Sequence, residues 1–64
     1  MKYQVTFFSE KYKPVACIIE SESRARILTT DWKKAAVKIC TKRGWTRQDM
    51  ADYGYTTFKS RLAE

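Results

Sequence analysis

Sixty-four residues allow one domain around one core, and 44% hydrophobic against 31% charged residues is the balance of a folded chain, not a disordered one. Thirteen Lys and Arg against seven Asp and Glu leave a net charge of +6, and histidine is absent. That absence removes the commonest general base, His-activated Ser and Cys nucleophiles, and mixed Cys/His zinc sites. Two glycines, Gly44 and Gly54, cannot build a phosphate-cradling GxGxxG or P-loop.

Residues 3–8 alternate, Tyr3, Val5 and Phe7 against Gln4, Thr6 and Phe8, and aromatic and β-branched residues at period two predict a strand. The polar stretch from Ser9 to Pro14 suits a hairpin connection. Val15 to Glu20 predicts the second strand, and its first five residues form the longest apolar run of the chain. A membrane-spanning helix needs about 20 such residues. The alternating N-terminus also lacks the apolar core of a signal peptide, so the expected location is the cytoplasm. Cys17 and Cys40 lie far apart with no CxxC pair and fall on apolar faces, which fits reduced core thiols better than a disulfide.

Ser21 to Thr30 is a polar connector with room for a helical turn around 24–28, anchored by Ile27 and Leu28. Thr30 is the expected N-cap of a helix in which Asp31 occupies the first turn. Trp32, Ala35, Ala36, Ile39 and Cys40 then recur on one face. Lys42, Arg43 and Gly44 close that helix, with cations in the last turn and glycine beyond. Thr46 caps a second, short helix with Asp49 completing a capping box, Trp45 and Met50 stand at staple positions, and Gly54 is the stop. Residues 55–63 fit a helix through Tyr55, Phe58 and Leu62, and equally a third strand through the alternation of Thr56, Phe58, Ser60 and Leu62 with Thr57, Lys59 and Arg61.

The expected fold is α+β in a single small domain spanning 1–64: an N-terminal β-hairpin packed on an amphipathic helix, then a short helix and a C-terminal segment that is a third strand or a helix. Val5, Phe7, Cys17, Ile19, Trp32, Ala36, Ile39, Met50 and Phe58 are the expected core. So small a core leaves room for a homodimer.

Residues 1–32 hold five cations and four anions, net +1, and residues 33–64 hold eight and three, net +5. Lys34, Lys38 and Lys42 recur every four residues, a stripe of like charge that costs an isolated helix about 0.2–0.5 kcal/mol per pair. Such a stripe fits a phosphate-binding face, and it also fits a solvated surface that keeps the chain soluble. Tyr3, Phe7, Phe8 and Tyr12 beside Lys2, Lys11 and Lys13 have the composition of a stacking platform for unpaired bases. Core packing is the simpler assignment for Tyr3 and Phe7, a sheet edge for Phe8 and a turn for Tyr12. Trp32 and Trp45 are better explained as packing residues than as ligand contacts. Asp49 and Asp52, three apart on one short helix, fit capping and dipole compensation; two carboxylates alone do not make a Ca²⁺ or Mg²⁺ site.

The run from Lys42 to Thr56 resembles the centre of phage-repressor-type helix-turn-helix proteins, about a third of the chain with its flank to residue 61. Gly44 and Thr46 open the helix as in that motif, Met50 and Ala51 pack it, and Gly54, Tyr55 and Thr56 form the turn. Gly54 stands three positions after Ala51, where the motif has four. The resemblance implies that Thr57, Lys59, Ser60 and Arg61 face the major groove. The chain as a whole is also similar to small mobile-element proteins of Gram-positive bacteria, which implies a phage or mobile-element origin in bacteria and no activity.

The expected function is a non-enzymatic nucleic-acid-binding module. Its phosphate contacts are Lys34, Lys38, Lys42, Arg43, Arg47, Lys59 and Arg61, toward DNA or RNA. No catalytic residue, metal, cofactor or membrane contact is expected. The alternative is a small protein-interaction or homodimerisation module with no nucleic-acid affinity.

Overall fold

Alternation in the first eight residues becomes strand β1 (Lys2–Phe8), which puts Tyr3, Val5 and Phe7 on a covered face. In the computed structural model, which describes residues 1–63, β1 is the centre of a three-stranded antiparallel sheet of order β2-β1-β3. Strand β2 (Val15–Glu20) pairs Val5 with Cys17 and Phe7 with Val15. Strand β3 (Thr57–Leu62) pairs Val5 with Ser60 and Phe7 with Phe58. The segment left open between helix and strand is therefore a strand. Thr57, Lys59, Ser60 and Arg61, to which the helix-turn-helix likeness gives a recognition helix, lie on β3. Hydrogen bonds from the Ser21 amide to the Met1 carbonyl and from the Ala63 amide to the Lys2 carbonyl, both 2.9 Å, extend the two ladders.

The helical region begins earlier than Thr30. Ser23, in extended conformation, accepts the Arg26 amide and caps a short helix α1 (Arg24–Arg26). A π-helical turn over Ile27–Asp31 follows, closed by the Trp32 amide on the Ile27 carbonyl, and runs without a break into helix α2 (Trp32–Arg43). Thr30 is thus internal, with helical neighbours on both sides. Its hydroxyl, like that of Thr29, donates back to a carbonyl of the preceding turn, Arg26 for Thr30 at 3.2 Å and Ala25 for Thr29 at 3.1 Å. The wide turn lets Ile27 and Asp31 both face inward, while Leu28, an expected anchor, is 62% exposed.

Helix α2 ends as its sequence demands. Gly44 takes φ = 71°, and its amide donates to the Cys40 carbonyl. Helix α3 (Arg47–Asp52) opens with the full capping box: the Thr46 hydroxyl accepts the Asp49 amide at 3.0 Å, and the Asp49 carboxylate accepts the Thr46 amide at 2.9 Å.

The helices cover one face of the sheet. Val5, Phe7, Ile19, Ala36, Ile39 and Met50 are buried there, joined by Tyr3, Val15, Ile27, Ala35, Cys40 and Tyr55, while Cys17, Trp32 and Phe58 pack against them partly buried. Phe58 ties β3 to the helical layer, 5.4 Å from Phe7 and stacked at 6.1 Å on Trp32. The register leaves Gln4, Thr6, Ala16, Ile18, Lys59 and Arg61 on the other face. Among the described residues, no helix is long and apolar enough to cross a membrane.

Candidate functional site

Two lysines of the α2 stripe, Lys38 and Lys42, lie along the outer edge of β2. The Lys38 ammonium donates to the backbone carbonyl of Ile18, a group that an edge strand turns away from its neighbour. Lys38, Lys42 and Arg43 line a groove of about 360 Å³, floored by Ala16, Cys17, Ile18 and Ile39 and bordered by Gln4. Arg61, across the sheet, donates from Nε to Oε1 of Gln4 at 2.8 Å, so the border residue of the groove also holds a cation of the open face. Lys59 lies two residues from Arg61 on that face.

The remaining expected contacts stand apart. Lys34 is 3.6 Å from the buried carboxylate of Asp31, which offsets its charge. Arg47 sits at the start of α3 with its guanidinium 5.6 Å from the centre of a Trp32 ring. Five of the seven candidate cations, Lys38, Lys42, Arg43, Lys59 and Arg61, thus share a connected surface, while Lys34 is partly neutralised and Arg47 belongs to another side.

Arg43 also borders a second depression that sequence reasoning missed. This open cleft of about 670 Å³ is lined by Tyr12, Lys13, Pro14, Val15, Arg43, Trp45, Tyr53 and Tyr55. Its rings form a connected set. Tyr12 meets Tyr53 edge-on at 5.5 Å, Trp45 meets Tyr53 at 5.1 Å, and Trp45 stacks on Tyr55 at 5.8 Å. The Arg43 guanidinium lies 5.2 Å from the Trp45 ring centroid. Trp45, which the sequence places in a staple with Met50, makes its ring contacts with these two tyrosines.

Two long-range hydrogen bonds hold the walls of the cleft together. The Ser9 hydroxyl donates to the Tyr53 carbonyl at 2.6 Å and accepts the Lys11 amide at 3.1 Å, which fixes the hairpin loop against the α3–β3 connection. The Tyr55 hydroxyl donates to the Lys13 carbonyl at 2.6 Å. Gly54 adopts φ = 84°, which favours glycine, and a Cβ there would stand 3.2 Å from the Ser9 oxygen, close enough to press on the Ser9–Tyr53 bond. The sequence hints at it in two places, Tyr12 beside Lys13 in the hairpin connection and aromatic residues beside glycines in Gly44-Trp45 and Tyr53-Gly54-Tyr55, but nothing in it joins them.

Among the described residues lining the groove and the cleft none is acidic. Five acids are engaged elsewhere: Glu20 with the N-terminal ammonium, Glu22 with Arg26, Asp31 with Ser21, Asp49 in its capping box and Asp52 with Gln48. Burial pushes the Cys17 thiol above its ordinary pKa, against the pull of nearby Lys38 and Lys42. Both cysteines are free thiols, and Cys17 donates weakly to the Ala35 carbonyl at 3.6 Å. No cluster of three or more potential metal ligands occurs among the described residues.

No protein-family model matches the chain, and no curated protein or solved structure gives a significant match.

Proposed function

We propose that the chain is a non-enzymatic nucleic-acid-binding module. Its phosphate contacts are Lys38, Lys42 and Arg43 in the groove, continued by Arg61 and Lys59 over the open sheet face. The supporting observation is the acid-free groove that shares Arg43 with an aromatic cleft. Lys and Arg that neutralise phosphates release condensed counterions, so binding of this kind depends steeply on salt. A chain without histidine lacks the commonest general base, and among the described residues no acid lines the groove or the cleft. A reducing cytoplasm suits both free cysteines.

The test is a titration with labelled DNA and RNA over a salt series. Five phosphate contacts weaken binding about a hundredfold for a single strand, and about five hundredfold for a duplex, between about 50 and about 200 mM salt. A flat response, or no binding at the lowest salt, removes the proposal.

One observation favours a protein-interaction or homodimerisation module instead. Strand β3 is an edge of the sheet, and its Leu62 is 49% exposed. Light scattering that finds a concentration-dependent dimer, in a chain with no nucleic-acid affinity, selects this second reading.

A further inference from the structure

We infer that the cleft walled by Tyr12, Trp45 and Tyr53 seats one unpaired nucleobase, with Arg43 and Lys13 on its flanking phosphates, so that the chain takes single strands in preference to duplex. This rests on the nucleic-acid reading and specifies the form of the ligand.

The composition of the cleft decides between occupants. A cationic guest such as a methylated ammonium would meet Arg43 and Lys13 with no carboxylate among the described lining residues to offset them. A guest with a flat π-face and a negative charge beside it meets complementary groups on both counts. Its volume, about 670 Å³, lies within the usual range of small-molecule sites. Tyr55 is buried and Trp45 is already stacked upon it, whereas Tyr12 is 54% exposed and offers the accessible ring surface. The guanidinium plane of Arg43 is a second stacking surface.

The site is also built before any ligand arrives. The Ser9–Tyr53 and Tyr55–Lys13 hydrogen bonds lock the hairpin loop to the α3–β3 connection, and the Trp45 amide is held on the Cys40 carbonyl at 2.9 Å, so little ordering remains to be done on binding. The groove leads on from Arg43 past Lys42 to Lys38, giving the backbone of a bound strand a cationic track away from the stacked base. A base inside a duplex has both faces covered by its neighbours and would have to be unstacked and unpaired to enter.

The experiment compares the intact chain with Tyr12→Ala and Tyr12→Phe by fluorescence anisotropy at low salt. The probes are a labelled short oligothymidylate, the same strand in duplex, a base-free deoxyribose-phosphate chain of equal length, and a proline-rich peptide. The expected result is single-strand binding about tenfold or more tighter than duplex. Tyr12→Ala should weaken the oligothymidylate alone by about tenfold, and Tyr12→Phe should restore it. Equal affinity for strand and duplex, or a harmless Tyr12→Ala, overturns the base seat and leaves phosphate binding intact. Binding of the proline-rich peptide with loss in Tyr12→Ala, and no such loss on oligothymidylate, assigns the cleft to a peptide and overturns it too. Failure to bind any of the three polyanions overturns both this inference and the function on which it rests.

Discussion

The guanidinium of Arg43 lies 5.2 Å from the centroid of the Trp45 ring, and the same residue borders both the basic groove and the aromatic cleft. It is the last residue of α2, immediately before the left-handed Gly44 that turns the chain back toward Trp45. Its position is therefore fixed by helix termination as well as by the ring.

Charge and planarity at Arg43 can be separated. Arg43→Lys keeps the charge and loses the planar guanidinium over the Trp45 ring, so affinity for a single strand should fall about two- to fivefold with an unchanged salt slope. Arg43→Gln should also lower the slope of log K against log salt by about 0.7. Anisotropy titrations across salt check both, and identical behaviour of the two variants would count against a stacked cation.

Lys38 occupies the outer edge of β2 by donating to the Ile18 carbonyl. Lys38→Met keeps the aliphatic stem and removes the ammonium, leaving that edge open to pairing. The variant should show a larger mean mass than the parent at equal concentration in sedimentation. Unchanged mass would mean that the edge is guarded by other means.

Ile27 and Leu28 are consecutive on the π-helical turn, yet Ile27 is fully buried and Leu28 is 62% exposed. Ile27→Ala should cost about 2–5 kcal/mol and Leu28→Ala no more than about 0.5 kcal/mol, measured by urea unfolding. Similar losses for the two would show that this turn is not the clamp its geometry describes.

Asp31 accepts the Ser21 hydroxyl at 2.7 Å, and this bond holds its carboxyl below the ordinary value, opposed by burial and helped by Lys34, Arg26 and Thr30. A group whose pKa is lower folded than unfolded stabilises the fold above its unfolded value of about 4. That contribution is lost as pH falls through the folded value. Ser21→Ala should therefore destabilise the chain more at neutral pH than in strong acid, as denaturant midpoints over a pH series would show. A penalty independent of pH would leave the hydroxyl with a packing role alone.

What could be read from the sequence was what neighbouring residues decide among themselves. Gly44 as a stop, and Thr46 with Asp49 as a start, are contacts within four residues, and both are present. Thr30-Asp31 looked like a helix start by the same local criterion, but burial of Ile27 carries the helical path back to Ser23. Strand β3 is undecidable locally because its partner positions on β1 lie 49 to 59 residues upstream. The site divides the same way. Helical spacing puts Lys38 and Lys42 on one stripe with Lys34, and Arg43 follows as a last-turn cation, whereas Tyr12, Trp45 and Tyr53 come from three separate connections and meet only in the tertiary fold.

The pairing of Tyr3 with Leu62 has a consequence for synthesis of the chain. The central strand precedes both of its partners in the chain and β3 is the third of the three, so on the ribosome β1 waits with one side unpaired until Thr57–Leu62 is added. Phe58, which seals Phe7 and Trp32, is delivered only with that final strand. Until then the nascent polypeptide carries a sheet with one ledge open, and the three-stranded layer is whole only after β3 has been made.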